Sequence, residues 1–561
     1  MKIKFCGATT SVTGSCHLIS TDRYKLLLDC GQYQGGKTLE KMNRDPFPFD
    51  PSKVDAMILS HAHVDHCGRI PLLIKQGFRG PIYCTKATSE LVKVMLRDCG
   101  YIHEREAEWE NKKALRQGRP LIEPLYTVEE AEAVFPYIHP VLYDQLVKIN
   151  DDMKIVFNDA GHILGSAITE IWVKDSDTDE SEKNYNKIVF SGDLGMPNRP
   201  ILRDPTIIKK ADYVIMETTY GDRLHEKNAD SVQKLIDIII STYKKGGNVI
   251  IPSFAVGRTQ ELIYQLDRFY DTNNEYQEIL NKIQVYIDSP MATNVTAIFK
   301  NNSQVFDKET RDYILNGENP LDFRNLHFTK TTQESMDLNN NDGQTKIIIS
   351  ASGMCDAGRI KHHLKHNLWN PKNSIVFVGY QANGTLGRQI VDGASDVTIM
   401  GEVIHVGATI YNLQGFSGHA DRDGLLHWLK GFQTIPKNIF LVHGEADSKI
   451  AFANYVKEQT NLDCTVIHNI CEYELEQNSQ ITEQDMLKDI IDEEKLANIR
   501  DKIGMIHDNL EKILYNTSLA MGEDLTPKQL VTINNVVQEL EKDALHLGTL
   551  TTKESIERKD D

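Results

Sequence analysis

Four side chains of the kind that ligate metals stand within one heptapeptide, Ser60-His61-Ala62-His63-Val64-Asp65-His66. Residues two apart in an extended segment point the same way, so His61 and His63 can grip one ion. The chain then turns, which lets Asp65 and His66 face a second ion beside the first. Imidazole together with carboxylate suits zinc, manganese or iron. A lone histidine is ambiguous, but a cluster this dense rarely arises from core packing.

The flanking residues say how the cluster is held. Ala56-Met57-Ile58-Leu59 reads as a buried strand, and Ile70-Pro71-Leu72-Leu73-Ile74 starts a helix after the turn at Gly68. The same device recurs along the chain. Lys25-Leu26-Leu27-Leu28 delivers Asp29, and Lys154-Ile155-Val156-Phe157 leads to His162. Lys187-Ile188-Val189-Phe190 leads to Asp193, Tyr213-Val214-Ile215-Met216 to Glu217, and Leu441-Val442 to His443. His419 lies in a further polar segment, Gly415 to Asp421. Sheets that alternate with helices present their active sites at strand ends in this way. Taken alone, Glu217 reads equally well as a structural carboxylate. Helices are expected over Thr88–Leu96, Thr127–Val134, Ser231–Lys244 and Thr259–Tyr270. The polar stretch Asp175–Asn186 predicts a loop or hairpin tip.

At 561 residues the chain should hold several domains with substantial cores. Its nine cysteines are scattered without a CxxC pair, which fits reduced thiols and a cytoplasmic location. Neither a secretory signal nor a membrane-spanning run is expected. The formal charge of −18 argues against broad coating of nucleic acid. Residues 471–561 account for most of it, with 21 acidic and 10 basic side chains. A local basic cleft for a phosphate substrate is therefore compatible with the composition, and bound metals would add positive charge. Beyond 476, Ile499, Ile503, Ile506, Leu510 and Ile513 form a heptad-like seam. Leu530, Ile533, Val537 and Leu540 form a second after Thr526-Pro527. This predicts a helical hairpin that either packs on its own domains or forms a homodimer.

These segments, in this order, resemble the metallo-β-lactamase superfamily, and within it the β-CASP ribonucleases. The resemblance covers about residues 1–470. It implies an α/β fold: a metallo-β-lactamase αββα sandwich with an inserted β-CASP α/β domain and a C-terminal helical extension. The expected boundaries are 1–222 and 408–475 for the sandwich, 223–407 for the insertion and 476–561 for the extension. By the same resemblance His61, His63 and His162 hold one metal, and Asp65, His66 and His443 the other. Asp193 bridges the two, and Asp29 orients ligands from behind. The implied cofactors are two divalent ions, zinc first, with manganese as the alternative. Asp65, Glu217 and His419 are the implied catalytic residues.

The inserted region carries Ser253-Phe254-Ala255-Val256-Gly257-Arg258, Ser350-Ala351-Ser352-Gly353-Met354 and Gly379 to Arg388. Small, hydroxyl and glycine residues at strand ends expose backbone N–H groups that can cradle phosphates. Ser253, Arg258, Ser352, Gly353, Gly384 and Arg388 are the expected RNA contacts. The implied function is hydrolysis of single-stranded RNA by a hydroxide activated between two metals. Endonuclease action is expected foremost, with 5′→3′ exonuclease action as an added capability. Two rival readings are a hydrolase of a small substrate on the same fold and a non-catalytic RNA-binding scaffold. The full set of ligand-type residues argues against the second, and the insertion against the first.

Overall fold

The computed structural model describes residues 1–174, 184–226, 228–272, 276–340, 343–382, 384–476, 481–490 and 526–550, with isolated positions between 496 and 510. Residues 1–490 form one compact unit and 491–561 a second.

Two mixed sheets lie face to face in the first unit. The first has seven strands. From one edge they are Cys471–Glu474, Lys2–Gly7, Cys16–Ser20, Lys25–Leu28, Ala56–Ile58, Ile82–Thr85 and Ile138–Val141. The second contains Thr465–Val466, Asn438–Val442, Tyr213–Glu217, Asn184–Phe190, Ala167–Lys174, Met153–Asp159 and Val147–Lys148. Strand side chains alternate between faces. Ile3, Phe5, Leu26 and Ile58 from one sheet thus meet Ile155, Ile171, Ile188 and Phe440 from the other in a shared core. The opposite faces are equally apolar, and helices cover them. Ile70–Lys75 and Lys86–Gln117 lie over the first sheet, Arg422–Leu429 and Ala446–Thr460 over the second. Helix, sheet, sheet and helix stack as the αββα expectation requires.

Between the strands Tyr213–Glu217 and Asn438–Val442 the chain builds a third sheet. Its strands are Leu326–Phe328, Gln284–Ile287, Lys346–Ser350, Val249–Pro252, Ser374–Phe377 and Thr409–Asn412, and every pair is parallel. Runs such as Ile347-Ile348-Ile349 are buried on both faces, as parallel sheets flanked by helices require. Thr409–Asn412 belongs to this sheet, so the insertion continues past the expected boundary at 407.

Three further differences have physical causes. The helix expected over Thr88–Leu96 runs from Lys86 to Gln117. Thr85 caps its start by accepting from the Thr88 amide, and Gly118 ends it in left-handed backbone at φ 64. Beyond Gly100 only Ala107 and Ala114 are buried, so the apolar signal fades while Glu, Lys, Arg and Ala sustain the helix. The expected loop Asp175–Asn186 ends early, because Tyr185 and Asn186 already pair with Lys174 and Val173, and Asn184 with Thr482, as part of Asn184–Phe190; residues 175–183 lie outside the described residues. Residues past 475 also join the sandwich. Ile481–Thr482 pairs with Asn184–Phe190, and the helix Glu483–Ile490 buries Met486 and Ile490 against Val156, Trp172 and Tyr185. Met486→Ala should therefore lower the unfolding free energy by about 2 to 5 kcal/mol, read from the denaturant midpoint. An unchanged midpoint would detach this helix from the core.

In the second unit, Pro527–Leu550 is a single helix. Thr526 and Gln529 cap its start reciprocally, side chain to amide in both directions. The first helix of the expected hairpin, including Ile513, lies largely outside the described residues.

Candidate metal centre

The heptapeptide leaves its strand at Ile58 and gathers around Asp29. Asp29 sits at a left-handed φ of 58, a conformation that costs free energy for a residue with a Cβ. Its carboxylate accepts from the Ser60 amide at 2.8 Å, the Ser60 hydroxyl at 2.9 Å and the Ser15 hydroxyl at 3.1 Å. It also meets His66 Nδ1 at 2.7 Å, which leaves His66 Nε2 facing the site. The Ser60 hydroxyl lies 3.0 Å from His61 Nδ1 and orients the second ring in the same sense. Asp29→Asn should weaken zinc retention by about 10- to 100-fold, measured by chelator competition, because the amide no longer fixes the His66 tautomer. Equal retention in mutant and wild type would remove Asp29 from the site.

Three rings then converge. His63 Nδ1 lies 3.1 Å from His61 Nε2 and 3.1 Å from His162 Nε2. His162 turns Nε2 inward because its Nδ1 bonds the Gly418 carbonyl at 3.2 Å. Asp193 Oδ2 stands 3.4 Å from His61, 3.2 Å from His66 and 3.6 Å from His162, each measured to Nε2. On the far side, His66 Nε2 and His443 Nε2 are 3.0 Å apart, with Asp65 Oδ2 3.6 Å from His443. Two ligand groups result, His61, His63, His162 with Asp193 and Asp65, His66 with His443, and a third set, Asp193, Glu217 and His443, overlaps both.

Gly192 makes the placement of Asp193 feasible. It adopts φ 53, and a Cβ there would stand 2.9 Å from the Ser60 Cβ and 3.0 Å from the Ala167 carbonyl. The strand Asn438–Val442 pairs in parallel with Tyr213–Glu217, with Val442 opposite Glu217, so His443 emerges beside Glu217. His443 is itself left-handed, at φ 48. Thr219 links the two residues: its hydroxyl lies 2.6 Å from Glu217 Oε2 and 3.2 Å from His443 Nδ1, so His443 Nε2 is free for the second group.

The donor set fits divalent cations. Burial lowers the pKa of His61 and His162 well below the usual imidazole range and brings His63 to about 4, so all three are neutral, the form that ligates. At His63 Nδ1, three lone-pair nitrogens face one another within hydrogen-bond distance, and one proton cannot satisfy them all. Asp193 Oδ1 is buried without a hydrogen-bond partner among the described residues. A cation in each group would satisfy these atoms together.

His419 stands at the rim. Its Nδ1 lies 3.3 Å from Glu217 Oε1 and 3.8 Å from Asp193 Oδ2. Burial opposes the charged ring, but Glu217 and Asp193 outweigh it and raise the pKa to about 9. A cation on Asp193 would work against that rise.

The site opens into a cleft of about 1590 Å³ between the sandwich and the insertion. His63, Asp65, His162, Asp193 and His419 line it, as do Arg258, Ser352 and Gly384 from the insertion. The other three expected RNA contacts lie elsewhere. Ser253 is buried and accepts from the Thr259 hydroxyl. Gly353 packs on the Phe254 ring, where an added Cβ would stand 2.9 Å from it. Arg388 is on an exposed helix face, paired with Asp392 at 2.8 Å. Arg258 reaches the cleft wall but is buried against Glu261, which also pairs with Arg199 at 3.0 Å. Sequence reasoning missed Ser60 and Thr219, which orient ligands, and Arg359 and Lys361, which line the cleft. The hydroxyls immediately flank motif residues; the two cations follow the Ser350–Met354 motif without a pattern of their own.

The Beta-Casp domain model matches residues 259–390, and a Metallo-beta-lactamase superfamily domain model matches 18–181. Ribonuclease TTHA0252 of Thermus thermophilus is 37% identical over 451 residues, which span 80% of this chain and 95% of that protein. The chain belongs to the β-CASP family of the metallo-β-lactamase superfamily. A third β-CASP-associated segment, 403–467, matches the model described as Zn-dependent metallo-hydrolase RNA specificity domain. Transcription termination factor FttA of Methanocaldococcus jannaschii is 31% identical over 467 residues, 82% of this chain and 69% of that one. The FttA protein of Pyrococcus horikoshii is 30% identical over 496 residues, 84% and 70%. With these matches, the His/Asp cluster supports divalent-metal binding.

Proposed function

We propose that this protein is a metal-dependent ribonuclease that cleaves single-stranded RNA, as an endonuclease foremost and with 5′→3′ exonuclease capability. The observation that carries the reading is two adjacent ligand groups with Asp193 within 3.5 Å of rings in both, at the floor of a cleft rimmed by the Glu217–His419 pair. The matches to a curated ribonuclease and to β-CASP and RNA specificity domains support it.

In the proposed arrangement His61, His63, His162 and Asp193 hold one ion, and Asp65, His66, His443 and Asp193 the other. Two divalent ions, zinc first, would supply Lewis acidity at the phosphate and a nucleophile at neutral pH. The protein's own residues do the rest. Asp29 and Ser60 hold the histidine tautomers, and Thr219 holds His443. The cleft walls orient the strand and narrow its access to water. The leaving oxygen needs a proton, which His419 delivers from a ring steadied by Glu217. Asp65 Oδ2 lies 3.6 Å from His443 Nε2 in the second group, where the carboxylate would offer an oxygen to that ion.

The test uses one RNA labelled at the 3′ end, with either a 5′-monophosphate or a blocked 5′ end, and zinc or manganese added. Internal fragments from the blocked RNA establish endonuclease action. Shortening only from the free 5′ end establishes an exonuclease. No cleavage of either RNA would overturn the proposal.

A further inference from the structure

The helix Lys86–Gln117 carries Tyr101, Arg105, Trp109 and Lys113 at intervals of four, which places them along one side. Tyr101 is 50% exposed and Trp109 60%, unusual for large rings beside a cleft that could have buried them. Both rings line the cleft that holds the metal-ligand groups. Each carries a cation over one face: Arg105 stands 5.2 Å from the Tyr101 centroid and Lys113 5.1 Å from that of Trp109. Glu108 and Glu110 hold those cations at 2.8 and 2.9 Å, so neither acid is left uncompensated. From 111 to 122 there are four cations, Lys112, Lys113, Arg116 and Arg119, and no acid. The loop beyond is pinned, since Asn111 exchanges two hydrogen bonds with the Ile122 backbone at 2.8 and 2.9 Å.

We propose that this helix side is a stacking ledge for the RNA strand outside the cleavage site, with unpaired bases lying on Tyr101 and Trp109. The proposal rests on the ribonuclease reading and adds the strand's path to it. Eight helical residues rise about 12 Å, the length of about three or four stacked nucleotides at 3.4 Å each. Aromatic rings accept any base, while cations beside them track the phosphates, the combination that binds single strands without sequence preference. The run of Lys112, Lys113, Arg116 and Arg119 without an acid favours a polyanion over a protein partner.

The test measures affinity in the Asp193→Ala background for a short oligouridine of about six nucleotides and a long one of about twenty, a length that extends past the site. The readout is the ratio of the two affinities. Tyr101→Ala and Trp109→Ala should each reduce the long-to-short advantage by about tenfold. Trp109→Phe should retain it, and so should Leu115→Ala, a change at an exposed residue on the same helix. An unchanged advantage in both alanine variants overturns the ledge while leaving the ribonuclease reading standing. Failure of the Asp193→Ala parent to bind either RNA, with wild type cleaving neither, overturns both. A Trp109→Ala variant that changes its sedimentation but keeps the advantage assigns the rings to a second copy of this chain, which also overturns the ledge.

Discussion

Asp193→Ala should lose RNA cleavage by about 10³-fold or more, because in the proposed arrangement one carboxylate serves both ligand groups, and even a residue that only supports a ligand from behind is worth about 10- to 100-fold. Its oxygens lie 3.2 to 3.6 Å from His61, His66 and His162 and 3.5 Å from His443 Nδ1, so one carboxylate faces four rings. The fold should persist, since Asp193 follows the strand Asn184–Phe190 and contributes nothing to the apolar core. Single-turnover cleavage with zinc supplied in excess measures the loss, and circular dichroism checks the fold. Full activity in a folded Asp193→Ala protein would refute the two-group site.

His419→Ala should lower kcat by about 10²- to 10⁴-fold with a smaller change in KM, as expected for a group that moves a proton in the transition state. Glu217→Gln should lower it as well, but for mixed reasons. Besides facing His419, Glu217 accepts from the Leu194 amide at 2.6 Å and from Thr219 at 2.6 Å. The amide keeps the carboxylate's shape but loses one of its two accepting oxygens, and with it the charge that favours the imidazolium. A substrate with a leaving group that departs without a proton separates the roles. Such a substrate should restore most of the His419→Ala rate, and none of the Asp193→Ala rate. Equal defects on both substrates would make His419 a positioning residue.

Much of the centre was legible because each ligand follows an apolar strand. Asp29, His162, Asp193, Glu217 and His443 all sit within a few residues of a strand end, and the heptapeptide packs four ligand types together. The α/β character followed from the same rhythm of strands and helices, while the αββα sandwich and its insertion came from the family resemblance. What the sequence hid depends on three-dimensional proximity. Ser60 and Thr219 are ordinary hydroxyls until Asp29, His61, Glu217 and His443 are brought against them. Arg388 has the residue type for a phosphate contact, but its helix turns it outward to Asp392. The second half of Lys86–Gln117 gave no apolar period because water surrounds most of it, so its length rests on propensity instead.

The parallel pairing of Tyr213–Glu217 with Asn438–Val442 has a consequence for synthesis. Thr219 and His443 touch across 224 residues of chain, and His66 and His443 across 377. The insertion occupies the interval between them. A chain still emerging from the ribosome can form the first sheet and the heptapeptide early, yet it has no His419, no His443 and no closing strand until nearly all of the first unit has been made. A nuclease whose own template is RNA thus comes off the ribosome incomplete until its last catalytic segments arrive. Contacts of such long sequence separation are also the slow ones to form, which delays the onset of activity further. The order of residues along the chain thus places completion of the site late in synthesis, a timing set by topology alone.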